Sequence, residues 1–303
     1  MEVVRYCKAL SDESRVRLAH LLARYELNVG EIVRALEMGQ SRVSRHLKIL
    51  LDAGLLSVRR DGLWAFYRAV DQGPGRSFLD GAEALFRGEP ELLEDLERAD
   101  AILAERVTNT REFFDTVAPE WERLSRDILG DLDLYGELAK RVGRCSVAAD
   151  LGCGNGGLLQ RMADNCRAVI GVDNSPRMLE MARRRFQGRE DVSLRIGELT
   201  HLPLRDWEAE AVVMSMVLHH LSMPAAAISE AGRVLKMGGR LVLAEFDSHA
   251  NEEMREEYGD LRLGLPREEM HSWLDRARFN VEKVDKYNVN KGLSVLIYEC
   301  VKK

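Results

Sequence analysis

The segment ADLGCGNGG, residues 149–157, contains the residue types that hold a nucleotide. Asp150 ends an apolar run, and four glycines follow: Gly152, Gly154, Gly156 and Gly157. Glycines let a backbone approach a ligand closely beside a helix N-terminus. Three of them match the GxGxxG spacing of dinucleotide-binding loops. Asp173, about twenty residues further on, could accept hydrogen bonds from ribose hydroxyls. The loop therefore indicates a ligand that contains a nucleoside.

Two ligand classes fit these glycines, a dinucleotide and S-adenosylmethionine. Asp150 distinguishes them, because a carboxylate before the glycines would repel a pyrophosphate and attract an ammonium or sulfonium group. S-adenosylmethionine or S-adenosylhomocysteine is therefore favoured, and an NAD-dependent reductase is the weaker alternative.

The segments around the loop alternate between strand and helix patterns. From residue 146 the order is strand, helix, strand, helix, strand, strand, helix and strand, with SVAADLG first and RLVLAEF last. This alternation predicts an α/β, doubly wound, Rossmann-like fold with a parallel sheet. In such a sheet the ligand lies at the carboxyl ends of the strands, where the glycine loop falls.

Four further motifs occur in order after the loop: SPRMLEMA, IGELTHLPL, SMVLHHL and RVLKMGGRLVLAEF. With the glycine loop they closely resemble class I S-adenosylmethionine-dependent methyltransferases over residues 111–303. The resemblance implies cofactor contacts from Asp150, Gly152, Gly154, Gly156, Asp173, Asn174, Met178, Glu198, Leu199, Ser215 and Met216. It also implies that Phe114 and Trp121 cover the pocket. His219 and His220 are interpreted as pocket wall, so no catalytic residue and no metal ligand is assigned.

Residues 1–70 have a different pattern. VGEIVRALEMGQSRVSRHLKILLDAGLL predicts a short helix from Val29, a turn at Met38 and Gly39, and a second helix from Gln40 to Ala53 that ends at Gly54. Two strand-like runs then flank Asp61-Gly62, a hairpin signal. A helix-turn-helix followed by a basic hairpin predicts a mainly α winged-helix domain.

Cations, hydroxyls and amides of this region suit phosphates and base edges. The residues predicted to contact DNA are Gln40, Ser41, Arg42, Ser44, Arg45, His46, Lys48, Arg59 and Arg60.

KALSDESRVRLAHLL, GQSRVSRHLKILLDAGLL and RRDGLWAFYR together resemble the ArsR family of bacterial repressors. The resemblance implies a homodimer on a two-fold symmetric double-stranded operator, with residues 40–48 in the major groove and the hairpin beside the minor groove. Metal-sensing members carry Cys-x-Cys in the first helix of the motif. Asn28 and Gly30 lie in the matching stretch here, so the resemblance does not extend to that metal site.

Residues 71–110 are interpreted as a linker and helical connector. Several Gly and Pro residues between 71 and 90 predict a boundary, and a charged helix is predicted from Pro90 to about Thr110. Leu92, Leu96, Ala99 and Leu103 have helical spacing, which fits either a short dimer contact or simple packing.

Charge is distributed unevenly between the two parts. The net charge is −6, yet residues 1–70 contain twelve Lys and Arg against eight Asp and Glu. A basic module on an acidic body fits DNA binding by the first part. The five cysteines are scattered without CxxC spacing, so neither a disulfide framework nor a zinc site is expected. The chain has no long apolar stretch, which predicts a cytoplasmic protein without membrane contact.

Two functions combine these parts. In the favoured one, a transcription regulator, expected to be a repressor, uses a methyltransferase-like domain to bind S-adenosylhomocysteine or S-adenosylmethionine as an effector. In the alternative, the protein is an active small-molecule methyltransferase whose DNA-binding domain regulates its own gene. Intact glycine motifs fit both, so enzymatic activity stays open.

Overall fold

Two units make up the chain in the computed structural model, which describes residues 1–303. They are Met1–Arg106 and Val107–Lys303. The sequence placed a separate connector at residues 71–110. Residues 71–106 instead cluster with the first unit, because the segment is helical and its apolar side chains enter that unit's core.

The first unit consists of helices with a small three-stranded sheet. Its elements are α1 (Glu2–Ala9), α2 (Glu13–Leu22), β1 (Leu27–Asn28), α3 (Val29–Leu36), α4 (Gln40–Ala53), β2 (Leu56–Asp61), β3 (Trp64–Ala69), α5 (Pro74–Phe86) and the first part of α6 (Pro90–Val117). The strand order in the sheet is β1-β3-β2, with antiparallel pairs.

Local sequence features set where the helices of the helix-turn-helix begin and end. Asn28 and Glu31 form a capping box at the start of α3, in which each side chain accepts the other residue's backbone N–H. Gly54 ends α4 with a φ of +78°, a left-handed conformation that favours glycine. The hairpin turn lies one residue later than predicted, at Gly62 and Leu63, because Asp61 pairs with Trp64.

Helices α5 and α6 complete the core of the first unit. The predicted boundary at 71–90 is wrong in detail, since Pro74 begins a helix instead of ending one. Leu96 and Ala99, considered for a dimer contact, are buried in the core of their own unit with Ile102. The spacing of these residues in α6 therefore reflects packing.

The second unit is an α/β domain. After the last part of α6 it contains α7 (Trp121–Leu129), α8 (Leu134–Val142), β4 (Cys145–Leu151), α9 (Gly157–Ala163), β5 (Cys166–Asp173), α10 (Pro176–Arg185), β6 (Val192–Ile196), β7 (Ala209–Ser215), α11 (Pro224–Val234), β8 (Leu235–Phe246), α12 (Glu253–Tyr258), α13 (Arg267–Arg276), β9 (Phe279–Asn288) and β10 (Ser294–Lys302).

Its seven strands form one sheet in the order β6-β5-β4-β7-β8-β10-β9. Strands β4 to β8 are parallel, and β10 is antiparallel to β8 and to β9. The order reverses between β4 and β7, so a crevice opens at the carboxyl ends of these strands. Apolar clusters bury both faces of the sheet, as expected for helices packed on two sides. No helix is both long enough and apolar enough to span a membrane.

Candidate functional site

One face of α4 carries polar side chains. Val43, Leu47 and Leu50 are buried against the first unit's core. Six of the residues predicted to contact DNA are exposed: Gln40, Ser41, Arg42, Ser44, Arg45 and Lys48. Arg60 on β2 is exposed as well. A helix with short polar and cationic side chains on its free face has the composition of a major-groove reader.

Two residues predicted to contact DNA do not belong to this exposed polar surface. His46 is buried, 4% exposed, with its imidazole toward Asp12 and Arg15. Arg59 and Arg60 are consecutive in β2, so their side chains point to opposite faces of the sheet. The Arg59 guanidinium forms ion pairs with Glu26 and Asp61. Both side chains therefore stabilise the domain. These contacts could not be predicted from the sequence, because the partners come from other elements.

The glycine loop after β4 is tied to the end of β5. The N–H groups of Gly152 and Cys153 donate to the Val172 carbonyl at 2.8 and 3.0 Å. The Gly154 N–H donates to Oδ2 of Asp173 at 2.8 Å. Gly152 has a φ of +84°, and a Cβ there would lie 2.6 Å from the Val217 side chain. Glycine is therefore required at the point where the chain turns under the pocket.

Asp150 lies at the bottom of this loop and is 1% exposed. Its Oδ1 has no hydrogen-bond partner. Burial, together with the negative charge of Asp173, raises the pKa of Asp150 to about 8. A buried carboxyl with one unpaired oxygen beside a cavity suits the ammonium group of an amino-acid ligand, as S-adenosylmethionine and S-adenosylhomocysteine possess. The residues present therefore fit this ligand class.

Replacing Asp150 with Asn should stabilise the ligand-free protein at alkaline pH. The folded state binds this proton more tightly than the unfolded chain, in which the carboxyl pKa is about 3.9. Wild-type stability therefore falls as the pH rises from about 4 to about 8. We expect the Asp150→Asn variant to have a Tm at least about 3 °C higher at pH 8, with a smaller difference at pH 5.

Thermal unfolding of the two proteins at both pH values measures this effect. Asp164→Asn, at an exposed position, is the matched control and should follow wild type. An Asp150→Asn variant no more stable than wild type at pH 8 would show that Asp150 is not a buried, costly charge.

A cavity that is partly open to solvent lies at this loop. The structure brings ten of the eleven residues predicted for the cofactor into its lining: Asp150, Gly152, Gly154, Asp173, Asn174, Met178, Glu198, Leu199, Ser215 and Met216. Gly156 is the exception. Gly156 immediately precedes α9, and its Cα faces the side chains of Phe186 and Ala182. It therefore shapes the loop and lies outside the cavity lining.

On the far side of the cavity, polar groups form hydrogen bonds with one another. Asp173 accepts the Ser175 N–H at 2.9 Å through Oδ1, and Asn174 donates to both oxygens of Glu198 at 3.3 Å. Burial raises the pKa of Asp173, although the N–H groups of Ser175 and Gly154 oppose that shift. Carboxylates near an amide match the hydrogen-bonding edges of a ribose and an adenine.

The wall above the cavity comes from residues before β4. Thr110 and Phe114, near the end of α6, line it together with Trp121 of α7. Phe114 packs edge-to-face on Trp121, with ring centroids 5.4 Å apart. Asp115 accepts a hydrogen bond from the Ser175 hydroxyl at 2.5 Å. This bond joins the end of α6 to the start of α10.

Sequence reasoning missed several residues of the site. Tyr135 of α8 lines the cavity, and burial with the charge of Asp150 raises its pKa to about 12. Glu245, at the end of β8, is 1% exposed. It accepts the N–H groups of Val217 and Leu218 at 2.9 and 2.6 Å and so holds the turn after β7. No motif marks Tyr135, and Glu245 was visible only as the acid in LVLAEF.

The two histidines after β7 are buried, and their surroundings shift their pKa values in opposite directions. His219 Nδ1 lies 2.5 Å from Glu245, and its Nε2 lies 3.6 Å from Asp260. Burial opposes a charge on His219, but the two carboxylates outweigh it and raise its pKa to about 9. Burial and the charge of His219 lower the pKa of His220 well below its usual value. His220 lines the cavity and packs on Phe114.

His219, His220 and Asp260 also place ligand-type atoms within 4.8 Å of one another. The sequence assigned no metal ligands, and it could not place Asp260 beside the histidines because forty residues separate them. His219 lies between the carboxylates of Glu245 and Asp260, and each of its ring nitrogens faces one of them.

Two family models match parts of the chain. A model of the arsR family of bacterial regulatory proteins matches residues 12–58, and a methyltransferase domain model matches residues 149–243. The first match covers the helix-turn-helix and the start of the hairpin. The second covers the glycine loop and the strands that line the cavity.

Relatives match one unit each. ArsR1 of Pseudomonas putida, an arsenic resistance transcriptional regulator, is 46% identical over 68 residues, which are 22% of this chain and 53% of that protein. A demethylmenaquinone methyltransferase of Tropheryma whipplei is 33% identical over 149 residues, 48% of this chain and 62% of that enzyme. The chain thus covers less than two thirds of each relative.

The fold of the second unit recurs in solved structures. The [4+2]-cyclase SpnF has a TM-score of 0.54 and 18% identity, over 63% of this chain and 94% of that one. A cyclase shares this fold, so the fold alone does not assign methyl transfer. Together with the family models, these similarities show a helix-turn-helix segment similar to the arsR family of bacterial regulatory proteins, fused to a domain similar to methyltransferases.

Proposed function

We propose that this protein is a DNA-binding transcription regulator, acting as a repressor, whose methyltransferase domain binds S-adenosylhomocysteine or S-adenosylmethionine as an effector. It would work in the cytoplasm as a homodimer on a two-fold symmetric operator. The DNA contacts would come from the exposed residues of α4 and from Arg60. The ligand would occupy the cavity at the glycine loop. Asp150 would bind its ammonium group, and Asp173 would accept hydrogen bonds from its ribose hydroxyls.

The observation that carries this proposal is the continuity of α6. Its N-terminal part belongs to the DNA-binding unit. There Asp95 accepts a hydrogen bond from the Arg17 guanidinium at 2.7 Å, and Arg106 forms an ion pair with Glu31 of α3. Its C-terminal part supplies Thr110 and Phe114 to the cavity wall. One uninterrupted helix therefore carries residues of the ligand cavity and residues bonded to the helix-turn-helix.

An effector acts by binding two protein states with different affinities. A ligand that repositions Phe114 or strengthens the bond between Asp115 and Ser175 changes the end of α6, and the rest of that helix is packed in the DNA-binding unit. S-adenosylhomocysteine lacks one methyl and one positive charge of S-adenosylmethionine. Such a difference is worth roughly 1–3 kcal/mol in a fitted pocket, which is enough for one of them to act as the signal.

Interrupting α6 between its two parts should uncouple the ligand from DNA. We expect Thr108→Gly with Asn109→Gly, each costing about 1 kcal/mol of helix stability, to leave operator affinity and ligand affinity within about threefold of wild type. The ligand-induced change in operator affinity should fall to less than half. Fluorescence anisotropy on labelled operator, with and without S-adenosylhomocysteine, measures the change.

The matched control replaces the same two residues with alanine, which preserves the helix. If wild type responds to the ligand and the glycine variant responds equally, the coupling does not pass through α6. A wild-type protein that binds the ligand with no response on DNA would reject the regulator itself.

A second candidate function is methyl transfer to a small molecule, with autoregulation by the DNA-binding domain. A second, smaller cavity has Trp121, Met216 and His220 in its lining and shares them with the cofactor cavity, so an acceptor bound there would lie beside the cofactor. S-adenosylmethionine, when bound, would supply an electrophilic methyl group. Production of S-adenosylhomocysteine only when an acceptor is added would favour this function, and binding without turnover would favour the effector role.

A further inference from the structure

Cys145 and Cys166 begin neighbouring parallel strands and are paired in register. Their sulfur atoms lie 3.0 Å apart, and the Cys145 thiol donates to the Cys166 sulfur. Adjacent strands are separated by about 4.8 Å, within the range of Cα distances that disulfides bridge. This pair could not be predicted from the sequence, because twenty residues separate the two cysteines and their contact depends on strand register.

The surroundings of the pair suit reaction with a soluble oxidant. Cys145 is partly exposed and Cys166 is 7% exposed, at the amino ends of the strands and away from the cofactor cavity. The hydrogen bond from Cys145 lowers the pKa of Cys166, and the same bond, with burial, raises the pKa of Cys145. The charges of Glu210 and Arg240 have opposite effects on the pKa of Cys145, which Glu210 raises and Arg240 lowers.

The other three cysteines differ from this pair. Cys153 and Cys300 are buried, and burial raises the pKa of both thiols. Cys7 is exposed on α1. No second pair of sulfur atoms in the chain makes a contact like that between Cys145 and Cys166.

We propose that Cys145 and Cys166 are a modification site, at which a peroxide oxidises the two thiols to a reversible intrachain disulfide. The site is independent of the effector proposed for the cofactor cavity. Its reactants are a hydroperoxide for oxidation and a low-molecular-weight dithiol for reduction.

The reaction balances with hydrogen peroxide as the only co-reactant. The Cys166 thiolate attacks one peroxide oxygen, the O–O bond breaks, and the leaving hydroxide takes a proton to become water. Cys166 is then a sulfenic acid. The Cys145 sulfur, on losing its proton, attacks the Cys166 sulfur, so that the S–S bond forms, the S–O bond breaks and a second water leaves. Two thiols are oxidised by two electrons, and one peroxide is reduced to two waters.

The disulfide would close a ring that contains the whole glycine loop and α9. Oxidation would thus fix the chain on both sides of the loop that faces the cofactor cavity. This is a covalent constraint on the segment that carries Asp150 and Gly152, imposed from the opposite edge of the sheet.

Peptide mapping of the full-length folded protein tests the proposal. The protein is treated with hydrogen peroxide, free thiols are alkylated, and trypsin digestion follows. Cleavage after Arg144, Arg161 and Arg167 gives one peptide with Cys145 and Cys153 and another with Cys166. We expect these two peptides to become joined, with fragmentation placing the bond at Cys145, and dithiothreitol to separate them.

Cys145→Ser and Cys166→Ser should each abolish the joined peptides, whereas Cys153→Ser should retain them. The measurement on the unmutated protein does not depend on how the variants fold. Free Cys145 and Cys166 after an exposure that fully oxidises Cys7 would overturn the proposal. So would joined peptides that form only in urea, since the native register would then play no part.

Discussion

Asp173→Ala is expected to weaken S-adenosylhomocysteine binding by about 100-fold or more. The substitution would remove the carboxylate that accepts hydrogen bonds from two ribose hydroxyls of the ligand. Each such bond is worth roughly 1.5–3 kcal/mol when the acceptor is charged. The variant also loses the bonds that hold the Gly154 and Ser175 N–H groups, so only the backbone bonds of Gly152 and Cys153 to Val172 still tie the glycine loop to β5. Isothermal titration calorimetry with purified protein measures the affinity.

The control for this prediction is Asp164→Ala, which removes an exposed carboxylate after α9 and should bind as wild type does. Circular dichroism checks that both variants are folded. A folded Asp173→Ala variant with unchanged ligand affinity would place the ligand elsewhere, and every residue role assigned to the cavity would have to be withdrawn.

Arg45→Glu should reduce operator affinity by more than about 100-fold. Arg45 is exposed on the polar face of α4 beside Ser44 and Lys48. Loss of a base-edge or phosphate contact costs about 1–3 kcal/mol, and the new carboxylate adds repulsion from the DNA backbone. Anisotropy titrations at several salt concentrations measure the affinity, and the salt dependence should also become weaker.

Arg167→Glu makes the same charge change at an exposed position in the second unit, and it should leave operator affinity almost unchanged. If the two variants lose affinity equally, the DNA contact is non-specific attraction to the net charge. A folded Arg45→Glu variant that binds the operator normally would remove α4 from the interface.

Features that depend on local chemistry were predictable from the sequence. Gly54 and the Asn28 cap set the ends of the helix-turn-helix, and both follow from side-chain and backbone preferences of single residues. Ten of the residues predicted to contact the cofactor meet in one cavity because they lie at or near the carboxyl ends of different parallel strands, which share one edge of the sheet.

Features that depend on partners distant in the chain were not predictable. His46 and Arg59 have the residue types of DNA contacts, yet Asp12 and Glu26 hold them in the fold. Apolar residues in α6 fit a dimer contact as well as a core, and only the packing of the unit decides between them. The Cys145 and Cys166 contact requires the register between β4 and β5, which no spacing rule supplies.

The measurement that tests the central claim most directly is operator affinity with and without ligand. Labelled DNA from upstream of the protein's own gene is titrated with the protein alone, with S-adenosylmethionine and with S-adenosylhomocysteine, at fixed salt. We expect S-adenosylhomocysteine to change the Kd for DNA by about tenfold or more, with a smaller effect of S-adenosylmethionine. If calorimetry shows that both ligands bind while neither alters the Kd for DNA, the methyltransferase domain is not a receptor for this regulator.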